Sequence, residues 1–322
     1  MFARRTFLAA AGAAALPLPA LAQAWPARPI RLVVPFAPGG TTDIVARIVG
    51  QAMQERLGQP VIVDNRPGAG ATTASQAVAE AAPDGYTLVV SNSASHGISP
   101  SLFRNVRYNA VTDFTHIALI ATTSNAAIVN PSYPAQSIQA LIALARSRPD
   151  GLDYAMSGFG TTTHLLGARF GMALNVRMNP IAYRGSGPAL TDLVAGTVGL
   201  MFDGLPSCIP FIRDGRVRAL AVADPTRNRF LPDVPTFAEA GMPQITSSSW
   251  FGISGPRGMD PALVTRLNAE IRAILALPAV QERWTSLTAN IPDLTPEQYV
   301  AFITDELRVW GEVVRATGAT AD

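Results

Sequence analysis

The chain has 322 residues, of which 48% are hydrophobic, so it can bury a sizeable core and is long enough for two domains. Its 25 basic and 23 acidic residues give a formal charge of +2, which gives little support to binding of nucleic acid or of an anionic membrane surface. The single cysteine excludes an intrachain disulfide, and the three histidines form no metal-ligand pattern. We therefore expect neither a metal nor another cofactor.

The first 24 residues are typical of an export signal. Arg4 and Arg5 precede an alanine-rich apolar segment at residues 7–21, which prolines interrupt and which is too short to span a bilayer. Small residues near Ala22 and Ala24 offer cleavage sites. The paired arginines resemble a twin-arginine signal, so that route and the general secretory (Sec) route both stay open. Without these two arginines, 23 basic residues balance 23 acidic ones, and we expect an unanchored chain in the periplasm.

The first predicted element is a strand at residues 30–35, where a β-branched run ends at a proline. The tight turn at residues 38–40 follows, and Thr41 or Thr42 is expected to cap a helix that Gly58 ends. N–H groups at such a helix start carry about half a positive charge and attract a carboxylate or phosphate. The alternative is a connection without a ligand, because the turn is neither a dinucleotide fingerprint nor a P-loop.

The strand–turn–helix pattern continues from there. A strand at residues 61–63, a glycine turn at 65–70 and a helix at 72–82 lead to a strand at 86–90 and a polar loop at 91–96. Alternation of this kind predicts an α/β fold with a mostly parallel, doubly wound sheet, whose ligands lie beyond the carboxyl ends of the strands. Ser91 and Asn92 lie where that rule places a ligand.

A second set of alternating elements begins near residue 125. We predict strands at residues 126–129, 152–156, 180–183, 198–202 and 217–223, and helices at 138–146, about 165–170 and 189–195. Glycine- and hydroxyl-rich turns at residues 157–163 and 184–188 open two of these helices. After about residue 242 the pattern changes to a strand at 249–253 and helices at 261–275, 279–287 and 295–314.

The histidines give little indication of catalysis. His116 is expected to be a structural residue at a strand end and His164 to order its turn, whereas His96 is open between ligand contact and loop hydrogen bonding. A rival interpretation is a periplasmic hydrolase that uses Ser157 or Ser186 with His96 or His164, although neither serine lies in a GxSxG elbow.

Repeated anion-binding geometry is the stronger signal. The turns at residues 39–40, 157–162 and 185–186 all open helices, and their N–H and O–H groups could hold a carboxylate without a cationic side chain. Arg184 could pair equally well with a ligand or with an acidic side chain at the surface. Asp203 either joins a polar network at the cleft or caps a helix, and Cys208 is expected to be a small buried hydrophobe.

Eight segments together resemble the Bug (TctC-like) solute receptors of tripartite tricarboxylate transporters. They are PFAPGGTTD at residues 35–43, NRPGAG at 65–70, PDGYTL at 83–88, GTTTHL at 160–165, YRGSGPA at 183–189, MFD at 201–203, LPDVPT at 231–236 and EAG at 239–241. Each motif is weak alone, but their order covers the whole chain after the signal. The sequence departs from the family pattern at Ala71, where a third glycine is common, and at Arg184, where lysine is commoner.

The resemblance implies a periplasmic two-lobed fold, a type II "Venus flytrap", with each lobe built on a mostly parallel doubly wound sheet. Lobe 1 would comprise residues 25–124 and 246–322, and lobe 2 residues 125–245, with crossings near 122–126 and 242–248. The family holds a ligand carboxylate largely through backbone groups of the first glycine turn, here residues 37–42, and through helix ends of the second lobe, here 157–162.

We therefore predict a binding protein, not an enzyme, that captures a small carboxylate: a di- or tricarboxylate, an acidic amino acid or an aromatic acid. The predicted ligand-binding residues are Ala37, Gly39, Gly40, Thr41, Thr42, Ser91, Asn92, Ser157, Gly160, Thr161, Thr162, Arg184, Gly185, Ser186 and Asp203. The expected partners are inner-membrane transporter subunits, and the protein is expected to be a monomer. A ligand-dependent partner of a membrane sensor kinase is the alternative, because it would use the same fold.

Overall fold

The computed structural model describes residues 25–321, so the predicted signal lies outside the described part. The strands are β1 (Ile30–Val34), β2 (Val61–Asn65), β3 (Thr87–Asn92), β4 (Phe114–Val129), β5 (Leu152–Met156), β6 (Met178–Ala182), β7 (Leu200–Gly204), β8 (Arg218–Val222) and β9 (Ser248–Pro256). The helices are α1 (Thr41–Leu57), α2 (Thr72–Ala79), α3 (Ser99–Leu102), α4 (Ile138–Arg146), α5 (Thr162–Leu174), α6 (Ser186–Ala195), α7 (Leu205–Arg213), α8 (Pro261–Leu275), α9 (Pro278–Ser286) and α10 (Pro296–Thr317). Among residues 25–321, no helix combines the length and apolar character that crossing a bilayer requires.

The strands form one sheet in the order β2-β1-β3-β9-β4-β7-β5-β6, and β8 also pairs with β4. Strands β2, β1 and β3 are parallel, as are β6, β5 and β7. Strands β4 and β9 pair antiparallel with their neighbours and with each other. The parallel strands therefore form two separate groups, which the long strand β4 connects.

Strand β4 runs through both halves of the sheet. It pairs with β9 as far as Ser124, opposite Ser248, and with β7 from Asn125 onward, opposite Gly204. The chain returns close to the same point, because the N–H of Ser247 donates to the carbonyl of Ala223. We call the side with β1, β2, β3 and β9 the first half and the side with β5, β6, β7 and β8 the second half.

Each half has its own core. In the first half, α1 and α8 pack on the sheet around Leu32, Val49 and Ile271, all fully buried. In the second half, both faces of the sheet are covered, with Phe202 in one cluster and Met201 in the other. Burial on both faces explains why the central strand β7 is apolar from Leu200 to Phe202. A smaller cluster joins the halves, in which Leu165 of α5 packs against Trp310 and Val314 of α10.

Several element boundaries differ from those predicted. The strand predicted at 126–129 is the end of the 16-residue strand β4. Helix α7 was not predicted. Pro206 lies in its first turn, where proline costs no hydrogen bond, and Pro210 lies inside the helix. Helix α2 ends at Ala79 rather than Ala82, and α6 begins at Ser186 rather than Ala189.

The predicted cap of α1 was wrong. The N-cap is Gly40, which has no side-chain cap, and the Thr41 hydroxyl lies instead 3.0 Å from Ser207 Oγ of the second half. Gly58 ends this helix in the left-handed conformation, with φ 69°, as predicted. Ala71, where the family commonly has glycine, is also left-handed, with φ 74°. That conformation costs an alanine about 1–2 kcal/mol, which explains why glycine suits the position.

Candidate ligand-binding site

Four helix N-termini meet at one cavity between the two halves. They are those of α1, α5, α6 and α7, whose N-caps are Gly40, Thr161, Gly185 and Gly204. The cavity is lined by Phe36, Gly40, Thr41, Thr42, Asn92, Ser93, Ala94, Asn125, Ser157, Thr161, Thr162, Thr163, Ser186, Asp203, Gly204, Ser249 and Phe251. It offers about 50 Å³ for the centres of water-sized molecules, where about 10–15 Å³ hold one water. The space suits a small solute.

The first glycine turn is held rigid from one side by Asp43. The Gly39 N–H donates to its carboxylate at 3.0 Å, Asn65 Nδ2 donates at 3.0 Å, and Arg47 forms an ion pair at 2.9 Å. Burial raises the pKa of Asp43, but these hydrogen bonds outweigh it and hold the pKa below its usual range. The Gly39 N–H is therefore already used, whereas the first N–H groups of α1 have no acceptor within the helix and lie at the cavity.

The start of α5 supplies the facing wall. Thr161 caps the helix, because its hydroxyl oxygen accepts from the N–H of His164 at 3.2 Å. Ser157 Oγ lies 2.9 Å from Thr163 Oγ1, and Thr162 Oγ1 lies 2.7 Å from Ser249 Oγ, which belongs to β9 of the first half. The contact between Ser157 and Thr163 fixes the loop, and the contact between Thr162 and Ser249 crosses from one half to the other.

Asp203, at the end of β7, is the centre of a buried polar network. Ser186 Oγ donates to Asp203 Oδ1 at 2.5 Å and Ser207 Oγ donates to Oδ2 at 2.7 Å, while Thr41 Oγ1 extends the chain to Ser207. The Asp203 side chain is fully buried, and burial raises its pKa to about 6. Asp203 therefore belongs to a polar network at the cleft, which was one of the two roles expected from the sequence; the other was a helix cap.

The halves also touch through backbone at the edge of the cavity. The Ala37 N–H donates to the Arg184 carbonyl at 2.8 Å. A Cβ on Gly185 would lie 3.0 Å from the Ala37 nitrogen, and one on Gly187 would overlap the Pro38 carbonyl oxygen. Glycine at these positions therefore permits two backbone segments to approach more closely than any other residue would allow.

Nine of the predicted ligand-binding residues line the cavity: Gly40, Thr41, Thr42, Asn92, Ser157, Thr161, Thr162, Ser186 and Asp203. Ala37, Gly39 and Gly185 lie at the backbone contact instead, and Gly160 packs against Ser99 and Phe103. The Arg184 side chain is exposed and only its carbonyl contributes to the contact.

Ser91 faces away from the cavity. Its hydroxyl lies 2.8 Å from both Ser254 Oγ and Tyr299 Oη inside the first half. Successive strand residues point to opposite faces, so Asn92 and its β9 partner Phe251 reach the cavity and Ser91 does not.

Sequence reasoning missed eight lining residues: Phe36, Ser93, Ala94, Asn125, Thr163, Gly204, Ser249 and Phe251. Asn125 Nδ2 donates to Ser247 Oγ, and its Oδ1 accepts from Ser249 at 3.2 Å, so the two crossing segments are bonded beside the cavity. The hydroxyl run at residues 247–249, next to a predicted crossing, was the signal available for Ser249. The lining residues include no arginine, lysine or histidine, and Asp203 is their one ionisable side chain.

The three histidines lie outside the cavity lining. His116 Nδ1 lies 2.9 Å from Ser254 Oγ and its Nε2 lies 3.1 Å from the Ala110 carbonyl, which confirms its structural role. Burial lowers the pKa of His116 and of His164 to about 4, and it lowers the pKa of His96 well below its usual value. All three are therefore neutral near pH 7.

The arrangement required by a serine hydrolase is not present in the described residues. Ser157 is bonded to Thr163 and Ser186 to Asp203, so neither has a histidine partner that could take its proton. Residues 25–321 also contain no group of three His, Cys, Asp or Glu side chains that could hold a metal ion. Cys208 is buried, as predicted.

A mixed α/β sheet divided into two halves, with a polar cavity where the chain crosses between them, is the architecture of a two-lobed periplasmic binding protein. A family model described as "Tripartite tricarboxylate transporter family receptor" matches residues 45–319. The chain belongs to this family. It is 39% identical over 314 residues to protein BugT of Bordetella pertussis (strain Tohama I), an alignment that covers 97% of this chain and 95% of BugT.

Two similar solved structures contain carboxylates. MatC from Rhodopseudomonas palustris with bound malate is 35% identical, with a TM-score of 0.86, and the match covers 90% of this chain and all of MatC. Rpa4515 of R. palustris with adipate is also 35% identical, with a TM-score of 0.88, covering 91% of this chain and 98% of that one. These likenesses agree with the resemblance found in the sequence.

Proposed function

We propose that this protein captures a small carboxylate in the periplasm and presents it to the inner-membrane subunits of a tripartite tricarboxylate-type transporter. The observation that carries the proposal is the meeting of four helix N-termini at one cavity that has no basic side chain in its lining. Such a site recognises negative charge through backbone N–H groups and hydroxyls. The malate and adipate in MatC and Rpa4515 support the same class of ligand.

The donors suffice for useful affinity. A hydrogen bond to a charged group contributes about 1.5–3 kcal/mol, so three of them contribute roughly 5–9 kcal/mol. Micromolar binding corresponds to about 8 kcal/mol. The proposed donors belong to residues 40–42 on one side and to residues 157, 161–163 and 186 on the other, so binding favours the closed arrangement of the lobes.

The proposed lobes comprise residues 25–124 with 246–322, and residues 125–245. The change of pairing partner between Ser124 and Asn125, and the return of the chain at Ser247, support these boundaries. We further propose that the protein acts as a monomer and that residues 1–24 are the export signal. Membership of a family of transporter receptors supports transport over a sensory role.

The test has two arms. Mass spectrometry of protein purified without added solute, together with calorimetric titration of malate, adipate, aspartate, citrate and benzoate, should find a carboxylate ligand. A strain that lacks the gene should lose uptake of that carboxylate, and persistent uptake would favour a sensory role. Turnover of carboxylic esters that Ser186→Ala abolishes would contradict a binding function.

A further inference from the structure

Asp203 presents a difficulty for a site that binds carboxylates. Its side chain is fully buried, lines the cavity and has no cationic partner among the lining residues. An incoming carboxylate and an ionised Asp203 would share one small cavity, and two like charges in one site favour retention of a proton. The hydrogen bonds around Asp203 show how that proton would change which hydroxyls donate and which accept.

Consider first an ionised Asp203, which can only accept hydrogen bonds. Ser186 must then donate to Oδ1 and Ser207 must donate to Oδ2, and each hydroxyl has a single proton. Because the proton of Ser207 is used, the 3.0 Å contact with Thr41 requires Thr41 to donate. The hydroxyls of Thr41 and Ser186, both at the cavity, then present lone pairs to it, which a carboxylate ligand cannot use.

A proton on Asp203 changes the directions of these hydrogen bonds. The acid O–H donates to Ser186 Oγ if the proton is on Oδ1, or to Ser207 Oγ if the proton is on Oδ2. Ser186 can then turn its own proton into the cavity. Where the acid O–H donates to Ser207 instead, the Ser207 proton has two acceptors, the Gly204 carbonyl at 2.8 Å and Thr41 Oγ1 at 3.0 Å, and only donation to Thr41 turns the Thr41 proton into the cavity. Through Ser186, one proton therefore removes a negative charge and converts a cavity hydroxyl from an acceptor into a donor.

We propose that binding of a carboxylate is coupled to uptake of a proton by Asp203, so that Asp203 is a specificity-determining residue whose protonation orients the hydroxyls of the site. The inference rests on the proposed function, since it needs a carboxylate in this cavity. It gives the receptor an affinity that rises as the pH falls, and it disfavours ligands that place an ammonium at Asp203.

Other titratable groups near Asp203 do not account for such coupling. On α7, burial and the nearby Asp203 charge raise the pKa of the Cys208 thiol well above its usual value, so it stays neutral. On α1, Asp43 is ionised and paired with Arg47. On α5, His164 is neutral above about pH 4, and β4 presents the neutral Asn125. The raised pKa of Asp203, about 6, agrees with proton uptake near neutral pH.

The experiment is calorimetric titration of the wild-type protein with malate and with adipate above pH 6.5, where their carboxyl groups are ionised. Titrations at pH 7.5 in phosphate and in Tris, whose ionisation enthalpies differ, should give an uptake of close to one proton. The association constant should fall about tenfold between pH 7 and pH 8, because one proton is linked to binding. These measurements need no variant.

Asp203→Asn supplies the second arm. Its amide N–H₂ donates to the hydroxyls as the protonated acid does but cannot titrate, so binding should become independent of pH and of buffer. The control is Asp214→Asn, at an exposed acid after α7, which should keep the wild-type coupling. Circular dichroism confirms folding of both variants.

Three results would overturn the inference. A carboxylate that binds wild-type protein without proton uptake contradicts it while leaving the proposed function intact. Tight binding of aspartate that weakens as the pH falls, and that Asp203→Asn abolishes, would show that Asp203 is ionised and holds an ammonium. No binding of malate, adipate, aspartate, citrate or benzoate, together with no co-purifying carboxylate, would contradict the proposed function itself and this inference with it.

Discussion

Replacement of Gly187 by alanine should block closure of the lobes without harming either one. Gly187 is the second residue of α6, and its Cβ would overlap the Pro38 carbonyl oxygen of the opposite lobe. In a helix interior alanine is favoured over glycine by about 0.5–1 kcal/mol, but Pro188 follows Gly187 and disfavours the helical conformation of a preceding residue that has a Cβ. These two effects oppose each other, so the substitution should change the stability of its own lobe little and act mainly on the contact between lobes.

The size of the effect follows from the contacts that closure makes. Ordinary carbon–oxygen contacts are about 3.3–3.6 Å, so the turns must separate by roughly 1 Å. That movement lengthens the 2.8 Å bond from Ala37 to Arg184 beyond hydrogen-bonding distance, and it stretches the 3.0 Å contact between Thr41 and Ser207. Two such bonds are worth about 1–3 kcal/mol, which corresponds to a roughly 5- to 150-fold loss of affinity.

Calorimetric titration with malate and adipate measures the loss, and small-angle scattering measures the radius of gyration of each complex. We expect weaker binding and a larger radius for Gly187→Ala than for the wild type, with a nearly unchanged melting temperature. Gly50→Ala is the matched control, because Gly50 also lies in a helix and its Cβ would meet no atom closer than 3.4 Å. Native affinity and a native radius in Gly187→Ala would refute the account of closure.

Three further predictions concern other positions. Gly39→Val should abolish binding, because φ is +83° at that position and valine strains the turn. Arg184→Ala should weaken binding less than tenfold, because its side chain is exposed. Titration of the folded variants with malate and adipate checks both, and the opposite order would mean that the arginine holds the ligand. Ala71→Gly should raise the free energy of unfolding by up to about 1 kcal/mol, because glycine adopts the left-handed conformation without strain. The control Ala74→Gly, in α2, should lower the free energy of unfolding by about 1 kcal/mol or more. Urea unfolding measures both changes, and a loss of stability at both positions would contradict the strain argument. Burial lowers the pKa of His116 to about 4, so the unfolded chain binds a proton at a higher pH than the folded protein does. The free energy of unfolding should therefore fall by roughly 3 kcal/mol from this group as the pH drops from about 6.5 to 4. In urea unfolding between pH 7.5 and 4.5, His116→Gln should lose less stability than the wild type, and an equal loss would show that His116 does not contribute.

The local parts of the site were predictable from the sequence. The strand, the glycine turn and the end of α1 at Gly58 follow from residues that are adjacent in the chain, and so does the cap at Thr161. Turn chemistry and helix ends are local preferences, so a short window of sequence contains much of the information. The cap of α1 is the exception, because the Thr41 hydroxyl that was expected to cap the helix contacts Ser207 of the other half instead. The resemblance to the receptor family then supplied the two-lobed fold.

The parts that depend on distant residues could not be predicted in the same way. The antiparallel pairings of β9 with β3 and with β4 join residues more than a hundred positions apart, and together they bring Phe251 to the cavity. Ala37 was predicted to bind the ligand, but its N–H donates to the carbonyl of Arg184 in the other lobe. Helix α7 was not predicted, although its start at Gly204 is the fourth helix N-terminus at the cavity. The contacts of Phe251 and Ala37 have partners that are not visible from the neighbouring sequence.

The central claim is that main-chain N–H groups of helix starts from both lobes hold the ligand carboxylate. Backbone amide resonances of the ¹⁵N-labelled protein, followed by NMR during titration with malate or adipate, test it most directly. The account predicts the largest downfield shifts at the amides of Thr41, Thr42 and Thr162, because a hydrogen bond to a carboxylate deshields the donor proton. Largest shifts at Arg184 and neighbouring surface residues, with these three amides unmoved, would contradict it.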